Sequence, residues 1–347
     1  MLKVSVIILN YNSANFLGRC LKSVLNSDYS NFEVVFVDND STDDSVGLVK
    51  DLFGRDSRLK IIVTSENLGF AEGNNIGIKY ATGEYIVFLN ADTEVECRWL
   101  KELIHVMDKD LRIGAAQSKL LLMYDERRFD SAGHFLDYCG IESVESASVQ
   151  GQADTGQFNQ LREIFYARGA AMITRRKVLD EVGPFDPAYF TDHEEIDLCW
   201  RIRLGGYKIV YVPKSVVYHA CGGASSQARK NKPAWITFHL RKNHIASLIK
   251  NYELLNLVKY LPIYLIYLAL HGGYKIIKGD IRMLTAYCKA VFWNLTNFRY
   301  IYSERKRVQS IIRKVPDKYI MKYMAKPVIP LHFLNNRSIL IQGDCGS

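Results

Sequence analysis

Residues 85–95 read YIVFLNADTEV, in which five mostly apolar residues with strong strand propensity run directly into Asn90, Asp92 and Glu94. Acids immediately after a buried strand put negative charge at the edge of a sheet, so their purpose depends on what else reaches that edge. Three other apolar runs read as strands and also end in or just before Asn, Asp or Glu: residues 4–10, 32–38 and 59–64.

Helical patterns separate these strands. Apolar residues at helical spacing predict a helix over 15–27, and a Ser/Thr/Asp start predicts a second over 41–53. Nearly continuous apolar strands that alternate with helices are typical of a parallel sheet covered on both faces, so the predicted fold class is α/β. Ligands of such sheets bind at the carboxyl ends of the strands. Four polar segments would meet there: Asn10–Asn12, Asp38–Asp40, Glu66–Asn67 and Asn90–Asp92.

Length and composition set the limits of the interpretation. The chain has 347 residues and 48% hydrophobic content, enough for one large domain with an appendage or for two domains. Its seven cysteines are odd in number and form no C-x-x-C pair, so they indicate neither a disulfide framework nor a zinc knuckle, and a reducing cytosol fits best. The N-terminal apolar run is shorter than a signal-peptide core and reads as the first strand.

The net charge of +8 conceals two electrostatic halves. Residues 1–228 carry 24 Lys/Arg against 32 Asp/Glu, whereas residues 229–337 carry 21 against 4. An acidic half suits cation binding, and a basic half rich in Tyr and Leu suits an anionic surface, either a membrane or nucleic acid. We therefore predict two domains, 1–228 and 229–347.

The polar strand ends hold no phosphate-binding glycine motif. Neither G-x-x-x-x-G-K-[ST] nor G-x-G-x-x-G follows the first strand, which excludes a P-loop and a dinucleotide fingerprint. A nucleotidyltransferase would need a Gly-rich, Arg-containing loop where this chain has NYNSANFLGR. An oxygen-bound divalent metal that bridges a diphosphate is the economical alternative.

Five ordered blocks carry a family resemblance: VSVIILNYN, VVFVDNDSTDDS, ENLGFAEGNNIGI, GEYIVFLNADTEV, and the long block from RGAAMITRR to VVYHACGG. Together, over about residues 3–225, they resemble the inverting family 2 glycosyltransferases of the GT-A fold, especially the rhamnosyltransferase-like branch. The resemblance implies a Rossmann-like, mostly parallel central sheet flanked by helices, here followed by a helical, basic C-terminal region.

The resemblance also implies a donor site. Asp38 matches the carboxylate that hydrogen-bonds the nucleotide base, Asp92 matches the last acid of the DxD-type motif that coordinates Mn²⁺ or Mg²⁺, and His219 matches a histidine that completes the metal site or contacts the diphosphate. Asn90 replaces the first acid of that motif, which leaves one strong anionic ligand. The implied nucleotide-sugar-binding set is Asn10, Tyr11, Asn12, Asp38, Asn39, Ser41, Asn67, Gly69, Phe70, Asn74, Asn90, Ala91 and Asp92.

The implied catalytic base lies in the pair Glu194-Glu195, where Glu195 occupies the base position and Asp197 is its nearest alternative. Each assignment has a structural alternative. Asp38 and Asn39 would also suit a cap for a helix starting near Thr42. The acids around Glu195 would also suit the solvated start of a helix. A histidine such as His219, considered alone, is more often structural than a ligand.

The C-terminal half poses a separate question. Segment 254–270 contains one charge and Pro262, which is predicted to kink a helix, and it falls short of a membrane span. Interleaved Tyr, Leu and Ile favour a helix lying on an anionic membrane, against a buried packing face or a true span. Amphipathic helices continue over 280–315. Segment 231–243 reads as a surface helix, and polar segment 142–160 as a mobile loop or acceptor-facing lid.

These features lead to a functional prediction. The chain is expected to move one sugar from a nucleotide-diphosphate sugar to a glycan or polyprenyl-linked acceptor in cell-surface polysaccharide synthesis, because the processive signature Q-x-x-R-W is absent after the base. It is expected at the cytoplasmic face of the membrane, as a peripheral protein. Nucleic-acid binding would leave Asp38, Asp92 and Glu195 unexplained. The alternative is a non-catalytic nucleotide-sugar-binding scaffold at the membrane; the oligomeric state stays open.

Overall fold

A computed structural model of the chain describes residues 3–221 and 233–326. Within these ranges ten strands join in one sheet. They are β1 Val4–Asn10, β2 Phe32–Asp38, β3 Leu59–Val63, β4 Tyr85–Asn90, β5 Thr93–Val95, β6 Ile113–Leu122, β7 Asp125–Ser131, β8 Arg162–Glu163, β9 Ala171–Arg175 and β10 Lys208–His219.

Twelve α-helices are described in the same ranges. They are α1 Ala14–Leu25, α2 Ser45–Phe53, α3 Gly69–Tyr80, α4 Trp99–Lys109, α5 Val144–Val149, α6 Arg176–Val182, α7 Glu194–Leu204, α8 Pro233–Asn251, α9 Leu254–Ile277, α10 Ile281–Thr296, α11 Phe298–Arg307 and α12 Asp317–Ile320. Short turns of 3-10 helix lie at Pro187–Tyr189 and Met321–Tyr323, and a π-helical turn at Val308–Ile312.

The predicted α/β fold is confirmed. The sheet order is β3-β2-β1-β4-β9-β6-β10-β5, and β1 runs parallel to β2 and β4. Beyond β4 the sheet becomes mixed, since β9 is antiparallel to both β4 and β6. β10 is parallel to β6 and therefore ends at the same edge as β4. The antiparallel strands were not predicted from the sequence.

Both faces of β1 are covered, as its continuous apolar run predicts. Val6 and Ile8 pack into the hydrophobic cluster that contains α1 and α4, whereas Ile7 faces the opposite cluster. On that second face α3 approaches β1 closely, because a Cβ on Gly73 would lie 2.6 Å from Leu9 Cδ1. The packing leaves only the strand ends open to a ligand.

Two sequence predictions about secondary structure are wrong. The helix predicted over 41–53 begins at Ser45, so residues 41–44 belong to the loop after β2. Segment 142–160 is not a simple loop, since Val144–Val149 forms α5 with Ser143 as a side-chain cap. Gly151 N also donates to Phe129 O at 2.8 Å, which fastens the end of α5 to β7.

The C-terminal helices continue the hydrophobic core of the sheet. One cluster extends from Ile7 of β1 through Trp200 of α7 to Tyr252, Tyr264 and Ile301 of the helical region. The surface helix predicted for 231–243 is wrong for the described residues, because α8 packs between α7 and the helices α10 and α11 and buries most of its side chains. The boundary predicted at residue 228 falls outside the described ranges.

Helix α9 is longer than the sequence analysis predicted. It continues past Pro262 to Ile277, and among the described residues it is the one helix that is long and apolar enough to cross a membrane by length and composition. Tyr260, Tyr264 and Tyr267 are buried on one side, although only 22% of the most apolar window is buried inside the protein. The length argument against a span is therefore wrong, and α9 has one packed and one exposed side.

Candidate donor and metal site

The carboxyl ends of β1 and β2 meet in a polar cluster. Asn10 lies opposite Asp38 in the parallel register, and its Nδ2 donates to Asp38 Oδ1 at 2.7 Å and to Ser41 Oγ at 3.0 Å. Asp38 Oδ2 accepts from the backbone N of Ser41 at 3.0 Å. Asp38 therefore shapes the loop after β2 and does not cap α2, which begins four residues beyond Ser41.

A second cluster of amides lies beside the first. Asn39 is buried, its Nδ2 donates to Asn67 Oδ1 at 3.0 Å, and its Oδ1 accepts from the backbone N of Leu68 at 3.0 Å. Asn12 adopts a left-handed φ of 52° and accepts from the backbone N of Thr42 at 2.7 Å. Tyr11 beside it is half-buried. These contacts hold the loops after three parallel strands at one edge of the sheet.

Three predicted donor-site residues contact the protein instead of an open pocket. Gly69 has φ +75°, and the space for its Cβ is taken by the carbonyl and ring of Phe190, while that of Gly73 is taken by Leu9. Phe70 packs its ring edge-on against Phe185 at 6.0 Å, and Asn74 Nδ2 donates to the carbonyl of Phe70 at 2.9 Å.

The turn between β4 and β5 presents Asp92 to His219 at the end of β10. Thr93 Oγ1 donates to Asn90 O at 2.7 Å and fixes this turn, which also contains buried Ala91. His219 Nε2 lies 3.3 Å from Asp92 Oδ1 and 3.4 Å from Asn90 Nδ2. Asp92 and Asn90 of the opening stretch therefore meet a histidine more than a hundred residues away in the chain.

The other ring nitrogen of His219 faces a carboxylate that the sequence analysis missed. His219 Nδ1 is 2.9 Å from Asp130 Oδ2, and Asp130 forms a buried ion pair with Arg168. Burial alone would lower the pKa of His219, but the carboxylates of Asp92 and Asp130 raise it to about 10. Without a metal ion the imidazole is therefore protonated at neutral pH.

The residues around His219 fit a divalent cation. A carboxylate oxygen and an imidazole nitrogen 3.3 Å apart are close to the separation of about 3 Å expected for neighbouring ligands on an octahedral ion. A cation between them would replace the proton that the two carboxylates stabilise on His219. Asp130, His219 and Cys221 also form a group with ligand atoms within 4.8 Å of one another, but Cys221 is disulfide-bonded and offers no thiolate.

Glu195 and Asp197 lie at the start of α7 in different environments. Glu195 is half-buried. Burial alone would lower the pKa of Arg168, but Asp130 and, more weakly, Glu195 help to raise it. Asp197 is fully buried: Arg201 Nε donates to one of its oxygens at 2.9 Å, and Asn251 Nδ2 donates to the other at 2.9 Å. The structure therefore places Asp197 in the packing of α7 on α8, whereas Glu195 is the more accessible of the two predicted acids.

The loop that leads into α7 is strained and held from α8. Phe190, Asp192 and His193 have φ values of 61°, 64° and 75°, a region that non-glycine residues rarely occupy. Asn243 Nδ2 of α8 lies 2.9 Å from Tyr189 O, 2.9 Å from Thr191 O and 2.6 Å from Asp192 O. An element outside the sheet thus fixes the approach to Glu195.

Sequence reasoning missed Asp130, Arg168 and Asn243 because no local pattern marks them. Asp130 lies where the alternation of strands and helices weakens, and Asn243 lies in a segment read as a surface helix. A buried Asp next to Arg in space leaves no signal in a single chain. Asn243 differs only slightly: an amide in the middle of an apolar and basic helix is a weak hint of a buried polar contact.

The fold is that of the GT-A glycosyltransferases. The model of the family "Glycosyl transferase family 2" matches residues 5–183, slightly more than half of the chain. The chain belongs to this family. The match ends before Glu195, so the predicted base lies outside it.

Curated relatives agree with this family. Glycosyltransferase GlyG of Streptococcus pneumoniae is 29% identical over 218 residues, which are 60% of this chain and 67% of GlyG. The poly-beta-1,6-N-acetyl-D-glucosamine synthase of Staphylococcus epidermidis is 26% identical over 220 residues, 62% of this chain and 49% of the synthase. Protein y4gI of Sinorhizobium fredii is 28% identical, and the chain spans only 24% of its length.

Solved structures share the fold. Mannosyltransferase PcManGT from Pyrobaculum calidifontis, in complex with GDP-Man and Mn²⁺, matches 89% of this chain and 85% of its own with a TM-score of 0.53 at 18% identity. GalNAc-T7 with UDP, GalNAc and Mn²⁺ matches 63% of this chain and 43% of its own, also with a TM-score of 0.53, at 19% identity.

Proposed function

We propose that this protein is a metal-dependent, inverting glycosyltransferase that moves one sugar from a nucleotide-diphosphate sugar to a glycan or polyprenyl-linked acceptor. The observation that carries the proposal is the meeting of Asp92 and His219, 3.3 Å apart, at the sheet edge that also holds Asp38. PcManGT and GalNAc-T7 were solved with Mn²⁺ and nucleotide or nucleotide sugar, which supports Mn²⁺ or Mg²⁺ here.

Each group has a distinct task in this proposal. The cluster of Asn10, Asp38 and Ser41 binds the nucleotide, and Asp92 with His219 Nε2 holds the metal ion. When bound, the ion neutralises charge on the leaving diphosphate. Glu195 takes the proton from the acceptor hydroxyl, whose oxygen attacks the anomeric carbon opposite the leaving group, so the anomeric configuration inverts.

The finer assignments rest on the family resemblance and on the relatives. The rhamnosyltransferase-like branch is proposed from the sequence blocks, and cell-surface polysaccharide synthesis is supported by the similarity to a synthase of a poly-N-acetylglucosamine. The acceptor is proposed to be lipid-linked because of the exposed apolar surface of the C-terminal helices.

That surface supports a peripheral position on the cytoplasmic face of the membrane. Leu255, Ile266 and Ile277 of α9 are 82%, 60% and 83% exposed. They recur every eleven residues, which is about three helical turns, so they share one side of the helix. Further exposed apolar residues lie on α10 and α11, and residues 229–337 carry 21 Lys/Arg against 4 Asp/Glu. Apolar side chains with surrounding cations suit an anionic membrane.

Donor turnover tests the proposal directly. The purified full chain is incubated with a panel of nucleotide sugars, Mn²⁺ and a polyprenyl-linked glycan, and release of nucleoside diphosphate is measured. Proton NMR of the first product then reports the anomeric configuration. We expect one donor to be consumed with inversion and the reaction to stop in EDTA. A product that retains the donor configuration would contradict the mechanism.

A non-catalytic nucleotide-sugar-binding scaffold is the second candidate. It is favoured by Asn90, which stands where the metal motif of the family usually has an acid. A scaffold would gain thermal stability from a donor and Mn²⁺ by mass action, yet release no diphosphate with any acceptor. Measuring melting temperature and diphosphate release in the same samples separates the two functions.

A further inference from the structure

Asp130 lies on the opposite side of the His219 ring from Asp92. Its carboxylate is fully buried, and its two oxygens have separate partners. Oδ2 faces His219 Nδ1 at 2.9 Å, whereas Oδ1 accepts from Arg168 Nη1 at 2.9 Å and from Gln150 Nε2 at 3.1 Å. The oxygen on the histidine side is therefore not shared with the arginine or the amide.

This arrangement determines which nitrogen of His219 carries a proton. A carboxylate that is ion-paired to Arg168 can only accept a hydrogen bond, so His219 Nδ1 must donate. A ring held at Nδ1 points Nε2 to Asp92 and Asn90, and the lone pair of Nε2 becomes the ligand once the second proton leaves. A flip of the ring would put carbon atoms where the two nitrogens lie and break both contacts.

Packing alone explains the Asp130–Arg168 pair less well than a role in the site. A buried carboxylate is costly unless it is paired, and Arg168 with Gln150 already satisfies Oδ1. The contact of Oδ2 with a ring that also faces Asp92 is the feature that a purely structural ion pair does not require. Carboxylates behind metal-binding histidines orient the ring and raise its basicity.

We propose that Asp130 is a positioning residue, which holds His219 by Nδ1 so that Nε2 faces the metal-binding side beside Asp92. Arg168 and Gln150 keep the carboxylate ionised and in place. The inference rests on the proposed function only in taking the Asp92 side of His219 as the metal side.

The tautomer is measurable in the unmodified protein. The full chain is labelled with ¹⁵N-histidine, and the ring nitrogens are observed by long-range ¹H–¹⁵N NMR, with the His219→Gln variant identifying the His219 signals. We expect a protonated Nδ1 with and without a diamagnetic ion such as Mg²⁺, and an Nε2 that loses its proton when the ion binds. An unprotonated Nδ1 in the parent protein would overturn the proposal, and the variant serves only to assign the signals.

Metal affinity gives an independent readout. Binding of Mn²⁺ alone is followed by the EPR signal of the free ion, and Asp130→Asn should weaken it about 10–100-fold, the usual effect of removing such a partner. Asp130→Glu should recover part of the loss. The matched control is Asp137→Asn, because Asp137 is also buried in this region but accepts from the backbone N of Cys139 and Ile141 away from the site.

The outcomes separate this inference from the proposed function. If Asp92→Asn abolishes Mn²⁺ binding while Asp130→Asn binds it like the parent, the inference is wrong and the metal-dependent transferase stands. If Asp130→Asn weakens Mn²⁺ binding but no nucleotide sugar is ever consumed, the positioning role stands and the transferase function fails.

Discussion

Asp92 and His219 show how two residues far apart in the chain make one site. The strands β4 and β10 end at the same edge of the sheet, and the turn fixed by Thr93 turns Asp92 towards the imidazole. With Asn90 in place of an acid, Asp92 is the strong anionic ligand of this turn. The predicted metal site therefore relies more heavily on a single carboxylate than a site with two acids would.

Asp92→Asn is expected to lower metal-dependent turnover about 100-fold or more, because charge on the leaving diphosphate would lose its neutralising ion. Release of nucleoside diphosphate against Mn²⁺ concentration measures the effect. Glu94→Gln removes another acid of the same stretch, two residues away, and should behave like the parent. Equal loss in both variants would indicate a general charge effect instead of metal binding.

Glu195→Gln is expected to reduce kcat about 10²–10⁴-fold while donor affinity stays unchanged, because a general base acts on the acceptor and not on donor binding. Steady-state kinetics and donor titration check the two parts. Glu194→Gln is the control, since Glu194 is the adjacent acid at the start of α7 and is buried. Transfer at the parental rate by Glu195→Gln would refute the base assignment.

At the scale of elements, α8 controls the geometry of the loop before α7. One amide, that of Asn243, contacts three carbonyls of a loop whose backbone is in the left-handed region at several non-glycine residues. Such conformations persist only where the surroundings hold them. The helical region thus shapes the loop before the predicted base, although the family match ends at residue 183.

Asn243→Ala should therefore affect both stability and catalysis. The carbonyls of Thr191 and Asp192 would lose the amide donor and that of Tyr189 would keep the backbone N of Thr191, which costs about 1–3 kcal/mol of unfolding free energy, and kcat should fall with the donor KM unchanged. Urea denaturation and steady-state kinetics measure the two effects. Asn294→Ala is the matched control, because Asn294 is buried in α10 and donates to Lys242 O away from the loop. A normal kcat in Asn243→Ala would limit Asn243 to packing.

An ion network joins the same two elements and predicts a pH dependence. Lys250 of α8 lies 2.6 Å from Asp186 and 3.0 Å from Asp197. Burial alone would raise the pKa of each carboxyl, but Lys250, aided at Asp197 by Arg201, lowers both. Groups with a depressed folded pKa stabilise the protein above their unfolded pKa of about 3.9, and this contribution disappears as the pH falls through the folded values.

The free energy of unfolding should consequently decrease as the pH is lowered from about 5 to 3, and Asp197→Asn should make this decrease shallower. Urea denaturation at each pH measures the slope. At neutral pH Lys250→Met should cost about 3–5 kcal/mol because it leaves buried carboxylates unpaired. Lys314→Met, which breaks an exposed pair with Glu181, should cost less than about 1 kcal/mol. Similar costs for the two lysines would contradict the role of the network.

At the scale of the whole molecule, the acidic part of the chain is distinct from the basic part that exposes apolar side chains. The part before residue 228 is acidic and holds the candidate site, whereas the part after it is basic and exposes one side of α9. Helix α8 contacts the loop before α7 and also the helices α10 and α11. The site and the proposed membrane surface therefore belong to one packed body.

Replacing Leu255, Ile266 and Ile277 together by Gln should weaken binding to vesicles of phosphatidylglycerol and phosphatidylcholine by at least about tenfold, because each side chain loses its burial in the interface. Sedimentation measures the bound fraction. The control replaces Leu52, Leu111 and Leu161, which are 57%, 74% and 54% exposed on the α/β part. Equal binding by both triple variants would refute the proposed membrane-binding surface. Resistance of the parent to carbonate extraction would indicate that α9 spans the membrane.

Much of the fold followed from local patterns. The strands β1, β2 and β4 lie where continuous apolar runs predict them, because a strand buried on both faces needs apolar side chains throughout. Asp38 and Asp92 were found because each lies at the carboxyl end of such a strand. The antiparallel β9 and the buried α8 were not found, since an antiparallel insertion and a helix packed on three sides have no distinctive period in a single sequence.

The sequence alone determined the fold class, the acidic sheet edge and the basic helical half, because these depend on periodicity and composition. Only the tertiary structure showed that Glu195 and Asp197 have different surroundings, because two residues apart on one helix they point in nearly opposite directions. The tertiary structure likewise brought Asp130 to His219, and it brought Asn243 to the loop before α7. Such contacts depend on how elements pack, and packing brings together residues whose separation along the chain carries no information about their distance in space.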